Sequence, residues 1–441
     1  MADNQVAALK KRVADAISAA GDEIIELGED IFAHPELGYK EQRTSDVIAA
    51  KFKELGLEPE RNLAGTGVRA VGTGRKAAAR VAVIGELDAV VSPQHRHADP
   101  LTGAAHACGH HAQIANLYGV ACGLMASGVL AQLDGTVDFL AVPAEEFVEL
   151  GYRQRLMKEG KIDFFGGKQE FIKNGIFDGL DAVMMVHSQA QVPGRKAFVG
   201  GTSNGFVGKI INYQGRAAHA GAAPHEGINA LNAAMLGLMA VHAQRETFRD
   251  QDSIRVHPII TKGGDLVNIV PAEVVVETYV RGRTMDAVFD ANKKVNQALE
   301  GGAYAIGAKC NIEEIPGYLP LNDCGTLSQL FGDNMAELIG RENVVPAPHM
   351  AGSSDIGDVS QLVPTIQPSV GGFGGVAHGK DFCVTDPEMA YIIPAQALAM
   401  TVVDLLYGEA ATARTIKENF RAPLTRDSYL KMWDDFRTGN L

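Results

Sequence analysis

Apolar positions near the start of the chain fall on one helical face, with Val6, Leu9, Val13 and Ile17 in register. This spacing predicts one or two surface helices over residues 6–33, broken or re-capped at Gly21-Asp22. Val47, Ile48, Phe52 and Leu55 predict a further helix over 44–55. The pattern then changes. Residues 80–87 are a continuous apolar run ending in Asp88, 136–142 run into Pro143-Ala144-Glu145-Glu146, and 181–186 stop at His187. Strands without polar alternation are buried on both faces and usually belong to a parallel sheet. Ligand-bearing residues collect where such strands end. A helix is expected over 112–130, and a short one over 168–174 with Gly175 beyond its end.

Beyond His187 the strands alternate apolar and polar positions. Strands at 206–213, 254–260, 274–281 and 308–314, with helices at 230–243 and 287–299, read as a β-α-β-β-α-β unit with one covered face. Helices return from Leu321, followed by a core strand over 365–370 and a long helix over 388–406. The expected architecture is α/β, with a mixed sheet flanked by helices in a larger domain (1–202 and 318–441). A ferredoxin-like α+β domain (203–317) is inserted in it. A chain of 441 residues is too long for one ordinary core, which agrees with two domains.

Composition narrows the class. Apolar residues make up 46% and aromatic residues 6%, with 49 glycines, as in a soluble α/β enzyme. The net charge of -13 leaves nothing to offset phosphate repulsion and argues against nucleic acid. Five scattered cysteines do not form a disulfide framework. The amphipathic start lacks a signal peptide's apolar core, and no apolar run is read as spanning a bilayer, so the expected location is the cytoplasm.

The densest chemistry lies in residues 102–115, where His106, Cys108, His110 and His111 stand among small residues before a helix. Thiolate and imidazole on either side of Gly109 can point at one ion. At the end of a core strand, one carboxylate of the Glu145-Glu146 pair can bind a metal while its neighbour acts as a general base. Glu86 and Asp88 stand at another strand end, and His187 at a third. His34 reads equally as a ligand or as a loop or capping residue. The glycine-rich loop 371–378 lacks the spacing of a phosphate cradle, which excludes a nucleotide site, but brings His378. Residues 153–167, with Arg153, Arg155, Lys158, Lys161, Phe164 and Phe165, either shape a substrate pocket or form an ordinary surface loop, the loop being favoured slightly.

Several motifs carry a resemblance in the same order along nearly the whole chain. They are His34-Pro35-Glu36, Gly85-Glu86-Leu87-Asp88-Ala89, Ala107-Cys108-Gly109-His110 and Pro143-Ala144-Glu145-Glu146. After them come Ala218-His219-Ala220 with Pro224-His225, Asn268-Ile269-Val270-Pro271-Ala272-Glu273, Ser354-Asp355-Ile356-Gly357-Asp358-Val359-Ser360, and His378. Together these resemble the aminoacylase and carboxypeptidase-G-like metallopeptidases, peptidase family M-twenty. The resemblance is greatest to the branch with aminobenzoyl-glutamate, hippurate and auxin-conjugate hydrolases.

The resemblance implies a zinc-peptidase-like catalytic domain and one or two divalent ions, manganese or zinc, held by Cys108, His110, Glu146, His187 and His378. It implies Glu145 as general base, Asp88 as an orienting group, and Glu86 where two-metal relatives carry a ligating histidine. The inserted domain becomes a lid and dimer interface, with His219 catalytic across a homodimer or higher homo-oligomer and Asn268 and Arg281 holding the substrate's carboxylate or backbone. The implied partner is a small molecule with a carboxylate, with neither nucleic acid nor membrane. Three departures border the pocket: His111 where relatives carry Asp or Asn, Val90-Val91-Ser92-Pro93 in place of the usual Leu-Pro, and the 153–167 segment. His111 is therefore a candidate specificity residue, and His106 falls to a supporting role.

The expected reaction is hydrolysis of the amide bond of an N-acyl or N-aroyl amino acid or dipeptide. The alternative is release of ammonia from an aromatic amine such as a nitro-aminobenzoate, and a non-catalytic binding protein on the same fold comes third.

Overall fold

In the computed structural model, which describes residues 2–439, the apolar runs Arg80–Glu86 and Thr136–Val142 are neighbouring parallel strands, buried except at their first residues. They lie inside a six-stranded sheet in the order 60–63, 67–73, 136–142, 80–86, 182–184, 365–366. The first two pairings are antiparallel and the others parallel, so the sheet is mixed. Asp138 is buried in the Thr136–Val142 strand and is paired with Arg69 and Arg80, each at 2.6 Å. Helices His110–Ala126, Gln42–Glu54 and Ile393–Asn419 rest on this sheet, backed by Ala2–Ala19 and Gly21–Ala33.

These elements belong to a unit of residues 1–202, 322–348 and 358–426; the second unit comprises 203–321, 349–357 and 427–441. The second unit's sheet runs 255–256, 273–282, 205–214, 309–315, with 259–262 also on strand 273–282. Along Glu273–Gly282 every second residue is buried, the alternation expected of a sheet covered on one face. Helices Ala230–Gln244 and Met285–Ala305 cover that face, giving the β-α-β-β-α-β order.

Several expectations are corrected. The strands over 181–186 and 365–370 are each split: Ala182–Met184 and Thr365–Ile366 stay in the six-stranded sheet. Their continuations, His187–Ala190 and Ser369–Gly374, pair in a different one. The two segments cross together at Pro368, whose carbonyl accepts from His187 N at 2.9 Å. His187 therefore begins a strand instead of ending one. Residues 254–260 are interrupted at His257-Pro258, because proline lacks the amide that a ladder needs. Residues 371–374 are strand, not loop. Residues 150–158, overlapping the favoured surface loop, form a helix with Arg153 buried. One helical stretch, Glu388–Asn419, is in fact long and apolar enough to cross a membrane. Its apolar window is 94% buried inside the protein, so that composition serves the core.

In the second unit the two helices meet at Gly237 and Gly302. A Cβ on Gly302 would lie 2.2 Å from Gly237 N and 2.7 Å from Ala233 O, backbone atoms that cannot swing aside. Gly302→Ala is expected to destabilise the protein by about 1–3 kcal/mol, the usual cost of overpacking, despite alanine's better helix propensity. A thermal or urea midpoint at or above that of the unaltered protein would contradict this packing.

Candidate metal centre

Three short segments build the centre. In the first, Gly109 takes φ +90° between Cys108 and the His110–Ala126 helix. Only glycine fits, since an added Cβ would stand 2.6 Å from Ser188 Cβ. Ser188 Oγ donates to Cys108 O at 2.7 Å and ties the turn to the strand that begins at His187. The glycine-rich segment is tied to the same turn, because His378 N donates to Ala107 O at 2.8 Å.

His110 Nδ1 stands 2.9 Å from Asp88 O and so donates to it, which turns Nε2 toward the Glu86 and Glu145 carboxylates. Asp88 Oδ2 accepts from Glu146 N at 2.9 Å, so this one strand-end aspartate positions both neighbours. Cys108 Sγ lies 3.6 Å from His187 Nε2, and His378 Nε2 lies 3.3 Å from Glu146 Oε1. His110 Nε2 is 3.0 Å from Glu86 Oε2 and 3.8 Å from Glu145 Oε2. Three sets of potential ligand atoms result, each within 4.8 Å: Cys108–His110–His187, Cys108–Glu146–His378 and Glu86–His110–Glu145.

The charges answer one another. Burial and Glu146 push the Cys108 thiol up, but His110 and His187 outweigh them and leave it lowered to about 6. Cys108 and Glu146 raise the half-exposed His378 to about 11. Burial lowers His110 and His187, yet Glu86 and Cys108 hold the first well above the imidazole range, and Cys108 raises the second. Burial raises Glu86, and Lys168 with His110 bring it well below the carboxylate range. Burial likewise raises Glu146, which the adjacent His378 brings below that range. Three buried atoms here, His110 Nε2, Asp88 Oδ1 and Glu146 Oε1, make no hydrogen bond, although each faces a charged neighbour, Glu86, His110 and His378 respectively. Buried carboxylate oxygens and imidazoles beside a thiolate form a donor set that fits a divalent cation.

Other candidates lie elsewhere. His34 closes the Gly21–Ala33 helix, donating from its backbone to Ile31 O. Its neighbour Glu36 accepts from Arg43 N and Thr44 N at the start of the next helix. His106 and His111 are buried with no ring nitrogen hydrogen-bonded. Burial, with His110 and His95, lowers His106 to about 3, and burial, with His106, lowers His111 well below its usual range. The His111 ring is 4.6 Å from Phe32 and 5.9 Å from Tyr391, centroid to centroid.

His219, Asn268 and Arg281 belong to the second unit. His219 and Asn268 are exposed on neighbouring segments joined by Ala220 N donating to Asn268 O. His219 Nδ1 accepts from Gly221 N and Ala222 N, which puts the ring proton of its neutral form on Nε2. Arg281 lies over Phe206 and Tyr279 and donates to Ser353 Oγ at 2.9 Å.

Sequence reasoning missed Lys168, Gln113 and Glu41, and left Arg153 in a segment that read slightly better as a surface loop. Lys168 and Gln113 both donate to the Glu86 carboxylate, and Gln113 sits one turn beyond His110 on the same helix face. Glu41 accepts from Ala144 N at 2.8 Å, and burial with the nearby Asp88 raises its carboxyl to about 7. Spacing from His110 pointed to Gln113; nothing in the local pattern distinguishes the other three from surface charges.

The mouse Xaa-Arg dipeptidase is 29% identical over 96% of this chain and 94% of its own length. Among solved structures, a dinuclear metal-binding peptidase from Bacillus subtilis superposes with a TM-score of 0.64 at 22% identity, over 88% of this chain and 99% of that one. The aminobenzoyl-glutamate utilization protein from Klebsiella pneumoniae does so with 0.66 at 19%, over 89% and 98%. A family model matches residues 82–401, which take in the Cys108 turn, the glutamate pair, His187 and His378. The chain belongs to peptidase family M20/M25/M40 and is a metal-dependent hydrolase of C–N bonds.

Proposed function

We propose that this enzyme hydrolyses the amide bond of an N-acyl or N-aroyl amino acid or a dipeptide, using metal held by Cys108, His110, Glu146, His187 and His378. The observation that carries this reading is the pair of ligand triads meeting at Cys108. Such sharing favours two ions, manganese or zinc. Glu86 and Asp88 then orient their neighbours: the oxygens of Glu86 are engaged by Lys168 and Gln113, and Asp88 holds Glu146 N. A divalent ion bound there makes water available as a nucleophile near neutral pH and polarises the carbonyl. Glu145, beside His110, takes the proton of the attacking water and passes it to the leaving amine.

His219 is assigned, across the homodimer, as the donor in the neighbouring subunit's site to the carbonyl oxygen as negative charge builds. Its Nε2–H tautomer suits that role, which is typically worth about 3 kcal/mol. The planar fork of Arg281, with Asn268, is assigned to the substrate's carboxylate. His111 is assigned a packing role, since its ring is enclosed by Phe32, His106 and Tyr391. The mouse relative's action on Xaa-Arg dipeptides supports a dipeptide-like substrate. Ammonia release from an arylamine ranks second, because Arg153 of the basic aromatic segment is engaged by main-chain carbonyls.

A homodimer through the second unit completes the proposal. Met235 and Met239 are 51% and 66% exposed on the 230–244 helix, and Ile259 and Ile260 are exposed on the edge strand.

The chemistry is tested by a screen over acyl-amino acids, dipeptides and aminobenzoates with manganese and zinc, scoring amino acid and ammonia separately. Glu145→Gln is expected to cut turnover by about 100-fold or more with metal content unchanged; unaltered turnover would remove Glu145 as base. Metal uptake by chelator-treated protein at pH 8 should release protons, because His110, His187 and His378 are held above the ordinary imidazole value and must deprotonate to ligate. Affinity should therefore still be rising between pH 7 and 9. Calorimetry in buffers of different ionisation heat reads the proton count, and zero release would contradict the ligand assignment. Met239→Glu should shift sedimentation toward monomer; an unchanged distribution would place the interface elsewhere.

A further inference from the structure

The Leu150–Lys158 helix leaves the glutamate pair and returns a buried arginine to it. Arg153 is 1% exposed and forms no salt bridge among the described residues. Its guanidinium is directed at main-chain carbonyls instead. Nη2 donates to Glu146 O and Nη1 to Phe165 O at 2.5 Å, with Ala144 O at 3.5 Å from Nη1. The other main-chain group of Glu146, its N–H, donates to the buried Asp88. Ala144, next to Glu145, stands at φ +55°, a left-handed conformation that a non-glycine residue holds only when its surroundings impose it.

The helix is itself anchored. Lys40 Nζ pairs with Glu149 at 2.7 Å and lies over the Tyr152 ring at 4.3 Å. Gly38 passes so close that an added Cβ would stand 2.5 Å from Arg153 Nη2 and 3.0 Å from Ala144 Cα. A side chain on residue 38 would therefore displace the guanidinium.

We propose that Arg153 is a positioning residue for the hydrolytic centre: with Asp88 it grips both main-chain groups of Glu146 and sets the aim of the Glu145 and Glu146 carboxylates. This rests on the reading of Glu146 as ligand and Glu145 as base. A positive charge supplied to carbonyl oxygens holds the backbone without occupying a carboxylate oxygen. An arginine matched to a carboxylate side chain would have consumed one.

The test compares Arg153→Met, Arg153→Lys and Lys40→Met in the full chain, with cobalt(II) as metal probe. Arg153→Met is expected to bind cobalt at least tenfold more weakly, with an altered d–d spectrum. Its kcat should fall at least tenfold with KM within twofold. Arg153→Lys, which keeps one charged donor, should recover part of both losses. Lys40→Met, which loosens the helix without touching Glu146, should lower the melting temperature and leave kcat within twofold. If Arg153→Met does not fold, the cobalt spectrum and kcat of Arg153→Lys carry the comparison, and values equal to the unaltered protein overturn the proposal. Unaltered cobalt affinity and kcat in a folded Arg153→Met also overturn it. Failure of the underlying reading is distinguishable, because Glu145→Gln would then retain activity in the otherwise unaltered protein.

Discussion

Like charge crowded away from water is the constraint to which the rest of the catalytic unit answers. Glu86, Asp88, Glu145 and Glu146 are each less than a tenth exposed and lie around one histidine, His110. Two unit charges 4 Å apart repel by about 4 kcal/mol at an effective dielectric of 20, and a folded domain has only about 5–15 kcal/mol in hand. Such a cluster needs compensation at each member. Lys168 and Gln113 answer Glu86, the Glu146 amide answers Asp88, and His378 answers Glu146. The atoms that make no hydrogen bond, His110 Nε2, Asp88 Oδ1 and Glu146 Oε1, lie in the same place, where a divalent cation would complete the balance.

The sheets supply this arrangement through their strand ends and through one shared crossing. Parallel strands 80–86 and 136–142 end side by side, which brings Asp88 beside Glu145 and Glu146. The paired passage of 184–187 and 366–369 between sheets brings His187 to the Cys108 turn. Backbone in unusual conformations does the final aiming: Gly109 at φ +90°, Ala144 at +55° and His378 at +62° each stand within or next to the ligand set. Such residues persist where surrounding contacts over-determine them.

Much of this was legible in the chain. Continuous apolar runs marked the buried strands, alternation marked the one-faced sheet of the second unit, and residues at the run ends marked the centre. What stayed hidden has a common physical cause. A strand that changes sheets looks like one strand when both sheets bury it, so 365–370 read as a single strand and 181–186 as one that ends at His187. The apolar stretch 388–406 carries no sign of whether protein or lipid will cover it. A charged residue in a polar segment looks the same whether it meets water or a carbonyl, which hid Arg153, Lys168 and Glu41. At the turn 102–111 sequence and structure agree: of its three histidines and one cysteine, only Cys108 and His110 enter a ligand set.

Holding a chelating carboxylate by its backbone solves a problem that side-chain pairing cannot. A carboxylate offers its negative oxygens either to a neighbouring cation or to a metal, and full pairing lowers its value as a ligand. Glu86 illustrates the first outcome, with one oxygen on Lys168 and the other shared between Gln113 and His110. Glu146 illustrates the second: Asp88 and Arg153 grip its amide and carbonyl, and the cation facing its Oε1 is His378, itself a candidate ligand. The two glutamates lie near one histidine in similar burial, so burial alone cannot set their different chemical capacities. What separates them is whether the cation outside the ligand sets takes the side chain, as Lys168 does, or the main chain, as Arg153 does.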